Sequence, residues 1–383
     1  MASFSLDFIL VLIATFCLSL LLTPIVRVLA FKIGAVDHPN ARRINKIPMP
    51  SAGGLAVVAS FVLATMVFMP MAVHQTVHGQ TYFSYMLPVV SAGLIVAVTG
   101  LIDDVVELTA KKKLLGIILA AVLIWYFTEF RFDSFKIPFG GPLIEFDPVL
   151  TFVATILWIV GITNAVNLMD GLDGLVSGVS IISLSTMGLV SNFFLTDTNL
   201  FITLTIFILI AAIAGFLPYN YNPAWIYGGD TGALFIGFMI SVLSLQGLKN
   251  ATAVAVVTPV IILGVPIVDT FVAIIRRTLS GKKFYEPDKM HLHHRLLAMG
   301  FTHKGAVLVI YGIALLFSLT SLLLNVSTRL GGILLVLGLL LGLEVLIEGL
   351  EIWGEKRTPL FTLLKLIGNP VYRKEYFEQK QKK

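Results

Sequence analysis

The chain has 383 residues, of which 57% are hydrophobic and only 13% are charged, and its formal net charge is +5 at pH 7. A soluble domain carries about 25% charged residues, so this composition excludes an ordinary soluble protein and indicates a polytopic membrane protein. The single cysteine, Cys17, excludes a disulfide framework. The positive charge needs no nucleic-acid partner, and we expect none, because basic loops beside a membrane are explained by topology and by anionic lipid.

Long apolar runs predict the membrane-spanning helices, because about 20 apolar residues are needed to cross the hydrocarbon core. The first run has no basic segment before it and no small-residue cleavage site, so we interpret it as a retained span. The predicted fold class is therefore all-α, with about eleven transmembrane helices. The predicted spans are residues 5–31, 51–73, 83–101, 113–129, 148–166, 173–191, 198–217, 231–247, 252–275, 305–326 and 329–350.

The Lys and Arg residues predict the orientation, because cytoplasmic loops carry an excess of them. One set of segments holds 22 of these residues, whereas the opposite loops hold only four, apart from Arg27 at the end of the first span. We therefore expect the N-terminus outside, the C-terminus in the cytoplasm, a transmembrane catalytic domain at 1–350 and a basic cytoplasmic tail at 351–383. The predicted cytoplasmic segments are the loops 32–50, 102–113, 167–173, 218–230 and 276–304 and the tail.

Polar side chains collect in the same five loops, and the opposite face has only scattered ones. A transporter is expected to place its charges near the midplane, so this distribution favours an interfacial enzyme with a cytoplasmic, water-soluble substrate. Carboxylates beside Lys, Arg and His suit a site for phosphate and Mg²⁺, with Mn²⁺ as the alternative ion. The glycine pairs Gly53-Gly54 and Gly228-Gly229 stand just before spans, where backbone N–H groups can bind phosphate.

Several of these motifs also have a structural interpretation. Asp170 and Asp173 are placed to cap the next helix, and Tyr227 is placed as an aromatic-belt residue. The histidine run 291–294 allows a zinc site, although no second Cys/His cluster accompanies it. Asp269 lies inside a predicted span, so it needs a polar partner, and nearby Pro266 is expected to break that helix.

Six motifs in this order resemble the polyprenyl-phosphate N-acetylhexosamine-1-phosphate transferases, which include the enzymes that start wall teichoic acid and enterobacterial common antigen. The phospho-MurNAc-pentapeptide transferase of peptidoglycan synthesis is a more distant relative. The motifs are DHPNAR at 37–42, PSAGG at 50–54, GLIDD at 100–104, NAVNLMDGLDG at 164–174, GDTG at 229–232 and HLHH at 291–294.

The resemblance implies transfer of a sugar-1-phosphate from a UDP-sugar to undecaprenyl phosphate, with Mg²⁺ and release of UMP. Asp103 would be the proposed base, Asp230 the principal metal ligand, and Tyr227 would stack on uracil. The implied catalytic residues are Asp103, Asp104, Asp230, His291, His293 and His294. The implied substrate-binding residues are Lys46, Ser51, Asn167, Asp170, Asp173, Asn220 and Tyr227, and the implied metal ligands are Asp230, Asp104 and Asp173.

The form of the histidine motif resembles the N-acetylglucosamine branch of the family, whereas the peptidoglycan enzyme typically carries three consecutive histidines. We therefore expect UDP-GlcNAc as donor, undecaprenyl phosphate as acceptor, and a multi-pass location in the bacterial plasma membrane with a cytoplasmic active site. Asn45 departs from the family, because many relatives carry His there. A phospho-MurNAc-pentapeptide transferase, a membrane prenyltransferase and a polar-solute transporter are the alternatives, and a homodimer stays open.

Overall fold

The computed structural model describes residues 6–38, 47–77, 79–136, 141–194, 200–248, 253–279, 281, 290–350, 352, 358–369, 372–374 and 376. Lys46 and Asn45, and most of the first predicted loop motif, lie outside these residues. The helices are α1 (Leu6–Ile33), α2 (Gly54–Leu63), α3 (Met69–Ala72), α4 (Tyr82–Val106), α5 (Ala110–Phe127), α6 (Pro148–Met169), α7 (Leu175–Phe193), α8 (Leu200–Asn220), α9 (Gly229–Leu248), α10 (Ala253–Ile262), α11 (Gly264–Leu279), α12 (Leu292–Ala298), α13 (His303–Val326), α14 (Arg329–Gly349) and α15 (Pro359–Gly368). A π-helical turn, Ala64–Phe68, joins α2 to α3.

The architecture confirms an all-α polytopic membrane protein. Within the described ranges, eight helical segments are long and apolar enough to cross a membrane: Leu6–Ile33, Gly54–Ala72, Tyr82–Val106, Pro148–Met169, Leu175–Phe193, Leu200–Asn220, His303–Val326 and Arg329–Gly349. The three other predicted spans are also helical, as α5, α9 and the pair α10 and α11. The count of eleven and the outside N-terminus stay predictions.

The predicted span 252–275 is divided at Leu263, between α10 and α11. Pro266 stands in the first turn of α11, where a residue without an N–H group is tolerated. The Leu263 N–H donates to the Pro259 carbonyl, and the Ile267 N–H donates to the Leu263 carbonyl, so the two helices meet without a loop. The expected break near Pro266 is therefore present three residues earlier.

In the part of the chain that the structure describes, strands are short and form three antiparallel pairs. β1 (Val36–Asp37) pairs with β2 (Met49–Pro50), in the register Val36 to Pro50 and Asp37 to Met49. The other two pairs are β3 (Thr76–Val77) with β4 (Gln80–Thr81), and β5 (Ser134–Lys136) with β6 (Leu143–Glu145). The first pair leads directly into α2 and fixes where its N-terminus lies.

Helix α9 lies at the centre of the bundle and packs against α2, α4 and α6. Its side chains Leu234, Phe235 and Phe238 are fully buried. Glycines allow the close crossings: Gly54 faces the backbone of Gly232, and Gly100 faces the backbone of Asp230. Small residues at such contacts let membrane helices approach closely, so backbone contact at these glycines adds to the packing of the buried side chains.

We predict that Gly100→Ala lowers stability, because the added Cβ would lie 2.5 Å from the Asp230 carbonyl oxygen and 2.6 Å from the Thr231 Cα. Backbone atoms cannot rotate away, so α4 and α9 must separate, and overpacking of this kind costs roughly 1–3 kcal/mol. The measurement is the apparent melting temperature of the purified protein in detergent.

The matched control is Gly161→Ala in α6, where a Cβ would meet nothing within 4 Å. Alanine is the better helix former by about 1 kcal/mol, so this variant should melt at or slightly above the wild-type temperature. Equal melting temperatures for the two variants would contradict the close crossing of α4 and α9.

Candidate active site

The segments that contain Gly53-Gly54 and Gly228-Gly229 are joined to each other by backbone hydrogen bonds. The Gly53 N–H donates to the Tyr227 carbonyl at 2.8 Å, the Gly54 N–H donates to the Gly228 carbonyl at 2.8 Å, and the Tyr227 N–H donates to the Pro50 carbonyl at 2.9 Å. The expectation that Gly53-Gly54 offers free N–H groups to phosphate is therefore wrong. These glycines are needed for close approach, and Gly229 has a left-handed φ of +67° where its missing side chain makes room for the Ser51 carbonyl.

Asp104, near the end of α4, accepts the hydrogen-bond donors at the start of α9. One carboxylate oxygen accepts the Asp230 N–H at 2.8 Å, and the other accepts the Thr231 N–H at 3.0 Å and the Thr231 hydroxyl at 2.5 Å. The first N–H groups of a helix have no partner within the helix and carry partial positive charge. Asp104 therefore caps α9 from a different helix and fixes the backbone of Asp230.

Lys113 in α5 bridges the other two acids of this region. Its Nζ lies 3.0 Å from an oxygen of Asp103 and 2.6 Å from an oxygen of Asp230. The second oxygen of Asp103 accepts the Leu108 N–H at 2.6 Å. Three helices, α4, α5 and α9, thus place one ammonium group and two carboxylates together at the same face. All three side chains are only partly buried, so a polar substrate can reach them.

Asp173, after α6, holds the loop that joins α8 to α9. One of its oxygens accepts the Asn222 amide at 2.7 Å and the Ala224 N–H at 3.0 Å. Its own N–H donates to His303 Nε2 at 3.0 Å. The same His303 Nε2 lies 3.9 Å from the other Asp173 carboxylate oxygen, so His303 contacts both the backbone and the side chain of Asp173.

Asp170 follows the last turn of α6 and is exposed to solvent. Desolvation, followed by the negative charges of Asp230, Asp173 and Asp37, raises its pKa to about 7. Their shared influence puts Asp170 and Asp230 in one negatively charged region, where a cation is favoured.

Asn220 and Tyr227 frame the loop between α8 and α9. Asn220 is buried, its amide donates to the Ile226 carbonyl at 3.2 Å, and its carbonyl oxygen accepts the Ser177 hydroxyl at 3.0 Å. Both halves of its side chain are therefore engaged with the protein, which supports a structural role beside any contact with uracil. Tyr227 is half-buried, and its backbone belongs to the glycine junction.

The histidine run begins at the N-terminus of α12 and is positioned by Asp269. His291 Nδ1 lies 2.9 Å from one Asp269 oxygen, and the other oxygen accepts the Leu292 N–H at 2.8 Å. His291 Nε2 lies 3.4 Å from the guanidinium of Arg277. Asp269 therefore has the polar partner that its position inside a predicted span requires, and it also caps α12.

His293 lies against the Asp170–Asp173 segment, and His294 lies beside His293. Their ring centroids lie 4.1 Å apart, and His293 packs directly on Gly171, where any side chain would collide with its imidazole. Burial, followed by the charge of His294, lowers the pKa of His293 to about 3, so its imidazole is neutral near pH 7. A neutral imidazole can hydrogen-bond a sugar or a phosphate but brings no positive charge.

Two other predicted residues have simpler surroundings. Asn167 is half-buried in the last turn of α6, where its carbonyl accepts the Asp170 N–H. Ser51 is buried at the start of the glycine junction, where its N–H donates to the Ala35 carbonyl. Within the described ranges, no three His, Cys, Asp or Glu side chains are grouped so that they alone could hold a metal ion. The zinc interpretation of the histidine run therefore gains no support.

Lys113 lies at the end of the predicted loop 102–113 and is not among the predicted site residues. The buried residues of α5 include Gly116, Ile117, Ala120 and Ala121. These follow Lys113 at intervals of three, four, seven and eight, the spacing of one helix face. That periodicity distinguishes Lys113 from Lys111 and Lys112, which are exposed.

Comparison with known proteins agrees with this arrangement of motifs. The sequence profile described as glycosyl transferase family 4 matches residues 86–248. The chain is 39% identical over 350 residues to a Bacillus subtilis protein named probable undecaprenyl-phosphate N-acetylglucosaminyl 1-phosphate transferase, across 90% of this chain and 93% of that protein. It is 35% identical over 304 residues to the decaprenyl-phosphate N-acetylglucosaminephosphotransferase of Mycolicibacterium smegmatis, across 75% and 74%. It is 28% identical over 330 residues to the phospho-N-acetylmuramoyl-pentapeptide-transferase of Staphylococcus epidermidis, across 83% and 98%.

We predict that Asp104→Asn lowers the apparent melting temperature in detergent. Both carboxylate oxygens accept donors from α9, so an amide NH₂ in place of either oxygen would face a donor. Leaving such a group unsatisfied costs about 1–3 kcal/mol. The control is Glu107→Gln, an exposed position that follows α4 and makes the same chemical change. If both variants melted at the wild-type temperature, the cap would contribute nothing to stability.

Proposed function

The chain belongs to the polyprenyl-phosphate N-acetylglucosaminyl 1-phosphate transferases of glycosyl transferase family 4, and we propose that it transfers GlcNAc-1-phosphate from UDP-GlcNAc to undecaprenyl phosphate. The products are UMP and undecaprenyl-diphosphate-GlcNAc, the lipid-linked starting unit of a surface glycan. We place the reaction at the cytoplasmic face of a bacterial plasma membrane, where the positive-inside rule puts the basic loops.

The observation that carries this proposal is the meeting of Asp103, Lys113 and Asp230 at the ends of three helices, with the negative charge of Asp230 acting on Asp170. A diphosphate substrate needs cations that neutralise its oxygens and fixed groups that orient it. Lys113 supplies a positive charge for a phosphate oxygen, and His293 lies against Gly171 of the Asp170–Asp173 segment. The similarity to the N-acetylglucosaminyl 1-phosphate transferases supports a nucleotide-sugar as the diphosphate substrate.

The residues fit a Mg²⁺ ion that is shared with the substrate. Mg²⁺ is usually held by one or two carboxylates plus substrate phosphates rather than by a cage of protein ligands. Asp230 and Asp170 would hold it, because the negative charge of Asp230 acts on Asp170 and both acids attract a cation. Asp104 and Asp173, the other two predicted ligands, accept backbone or amide donors, whereas Asp230 accepts the Lys113 ammonium, which the ion would have to displace. When bound, the ion would neutralise charge on the diphosphate oxygens as the transfer proceeds.

The reaction forms one phosphoric anhydride and breaks another. An oxygen of the lipid phosphate attacks the phosphorus that carries the sugar, and the bond to the uridine-bearing phosphate breaks and releases UMP. A phosphomonoester has a second pKa near 6, so the acceptor is already largely a dianion at pH 7. We therefore assign Asp103 to holding Lys113 rather than to removing a proton, and catalysis to alignment and charge neutralisation.

The relatives support N-acetylglucosamine as the sugar. The Bacillus subtilis protein named for that sugar is 39% identical to the chain, whereas the pentapeptide transferase is 28% identical. The HLHH form of residues 291–294 points the same way. The prenyltransferase and transporter alternatives gain no support from the family, and the pentapeptide transferase is the remaining alternative.

We predict that purified protein releases UMP from UDP-GlcNAc only when undecaprenyl phosphate and Mg²⁺ are both present. The measurement is UMP formation by chromatography, with chelator and with lipid omitted in separate reactions. A panel of UDP-sugars, including UDP-MurNAc-pentapeptide, tests the sugar. Activity with the pentapeptide donor alone would overturn the sugar assignment, and no activity with any UDP-sugar would overturn the reaction class.

We predict that Lys113→Met lowers the rate of UMP release by roughly 10²–10³-fold, the loss found when one charge-stabilising donor is removed from an active site. Methionine keeps most of the length of the side chain, one atom less than lysine, and removes the charge that bridges Asp103 and Asp230. The matched control is Lys112→Met on the same helix, whose side chain is exposed. Similar rates in both variants would remove Lys113 from the site, provided that each remains folded by size-exclusion chromatography.

A further inference from the structure

Helix α15 is too short to cross a membrane, yet it exposes an apolar face. Its ten residues rise about 15 Å at 1.5 Å per residue, which is half of the hydrocarbon thickness of about 30 Å. Pro359, Leu363 and Ile367 stand four residues apart on one face, and Leu363 and Ile367 are 52% and 66% exposed. Lys365 lies on the opposite side, where it faces the Tyr372 ring.

Buried Glu348 fixes the start of α15. The residue lies in the last turn of α14 and is 1% exposed. Its two carboxylate oxygens accept the Leu360 N–H and the Phe361 N–H, the latter at 2.8 Å. At the other end, the guanidinium of Arg373 donates to the carbonyls of Leu366 and Ile367. An isolated helix of this length is only marginally stable in water. The contacts with Glu348 and Arg373 at its two ends therefore stabilise α15.

The connection from α14 to α15 is tied to the helices that carry the histidine run. The Leu350 carbonyl accepts Arg295 Nε at 2.7 Å, and the Ile352 carbonyl accepts Arg276 Nη1 at 2.9 Å. Arg295 belongs to α12 and Arg276 to α11, so α15 begins at the same face as the active site. Because α14 is itself long and apolar enough to cross a membrane, its end at Gly349 marks the boundary of the leaflet on that face.

The charge of this region suits an anionic surface. Lys365, Arg373 and Lys374 are exposed, and residues 351–383 contain eight Lys and Arg but only four acidic residues. Each basic residue near an anionic leaflet contributes to attraction. An apolar stripe beside cationic residues is the pattern of a helix that lies in the membrane interface.

We propose that α15 is an interfacial helix that lies on the anionic leaflet at the active-site face, with Leu363 and Ile367 inserted among the lipids. The exposed face of α15 would contact lipids of the bilayer that the transmembrane helices of the same protein span. Through Glu348, Arg295 and Arg276, the helix ties this part of the membrane surface to α11 and α12. The basic tail, residues 351–383, therefore contains a helix, α15, that is fixed to the transmembrane domain and contacts the membrane surface.

The test uses the full-length protein with Cys17→Ser, which removes its single cysteine. Ile367→Cys or Lys365→Cys is added and labelled with an environment-sensitive fluorophore, and the protein is reconstituted in nanodiscs of phosphatidylcholine and phosphatidylglycerol. We expect the label at 367 to be quenched by spin-labelled lipid and protected from aqueous iodide. The label at 365, on the opposite face, should show the reverse pattern.

Replacing phosphatidylglycerol with phosphatidylcholine should increase iodide quenching at 367, because the electrostatic attraction is lost. Iodide quenching of equal strength at 365 and 367 in anionic nanodiscs would overturn the proposal, because it would show that the face with Leu363 and Ile367 is exposed to water. Protection at 367 that appears only when two proteins occupy one nanodisc would overturn it in favour of a second copy. Both labelled proteins must elute as the unlabelled protein does and keep its UMP release.

Discussion

Carboxylates from one helix that accept the backbone N–H groups at the start of another helix organise the active-site face. Asp104 of α4 accepts donors from α9, Asp269 of α11 accepts the first N–H of α12, and Glu348 of α14 accepts two donors from α15. A helix N-terminus has unpaired donors and partial positive charge. At a membrane surface, where apolar surroundings make such donors costly, a carboxylate satisfies both requirements and links two helices, which are distant in sequence for Asp104 and consecutive in the chain for Asp269 and Glu348.

This interaction separates the roles of neighbouring acids. Asp103 and Asp104 are adjacent in sequence and similar in chemistry, but Asp104 accepts the first N–H groups of α9, whereas Asp103 accepts the Leu108 N–H and the Lys113 ammonium. Because Asp104 holds the first residues of α9, the Asp230 side chain is directed to Lys113, and Lys113 also reaches Asp103. One acid therefore fixes the scaffold and the other completes an ionic bridge. A residue of a catalytic motif, such as Asp104, can therefore serve the scaffold without contacting the substrate.

The one-sided distribution of charge and the lengths of the apolar runs were sufficient to predict the all-α membrane fold and the common face of the motifs. The sequence could not show that Gly53 and Gly54 donate to the 227–228 carbonyls, since this pairing joins segments that are more than 170 residues apart. Asn220 illustrates the same limit, because both halves of a polar side chain can be used by the protein as readily as by a ligand. The position of Lys113 could have been predicted, because the spacing of the small and apolar residues of α5 identifies the buried face of that helix.

The capping carboxylate and the helix crossing depend on each other. Asp104 reaches the first N–H groups of α9 only because α4 approaches α9 closely, and Gly100, one turn before Asp104, makes that approach at the Asp230 backbone. The left-handed backbone of Gly229 then turns the chain into α9 with space for the Ser51 carbonyl and the Asp104 carboxylate. The GLIDD and GDTG motifs therefore form one packed unit. A larger side chain at either glycine would displace the carboxylate from its donors, and the position of Asp230 beside Lys113 would be lost with it.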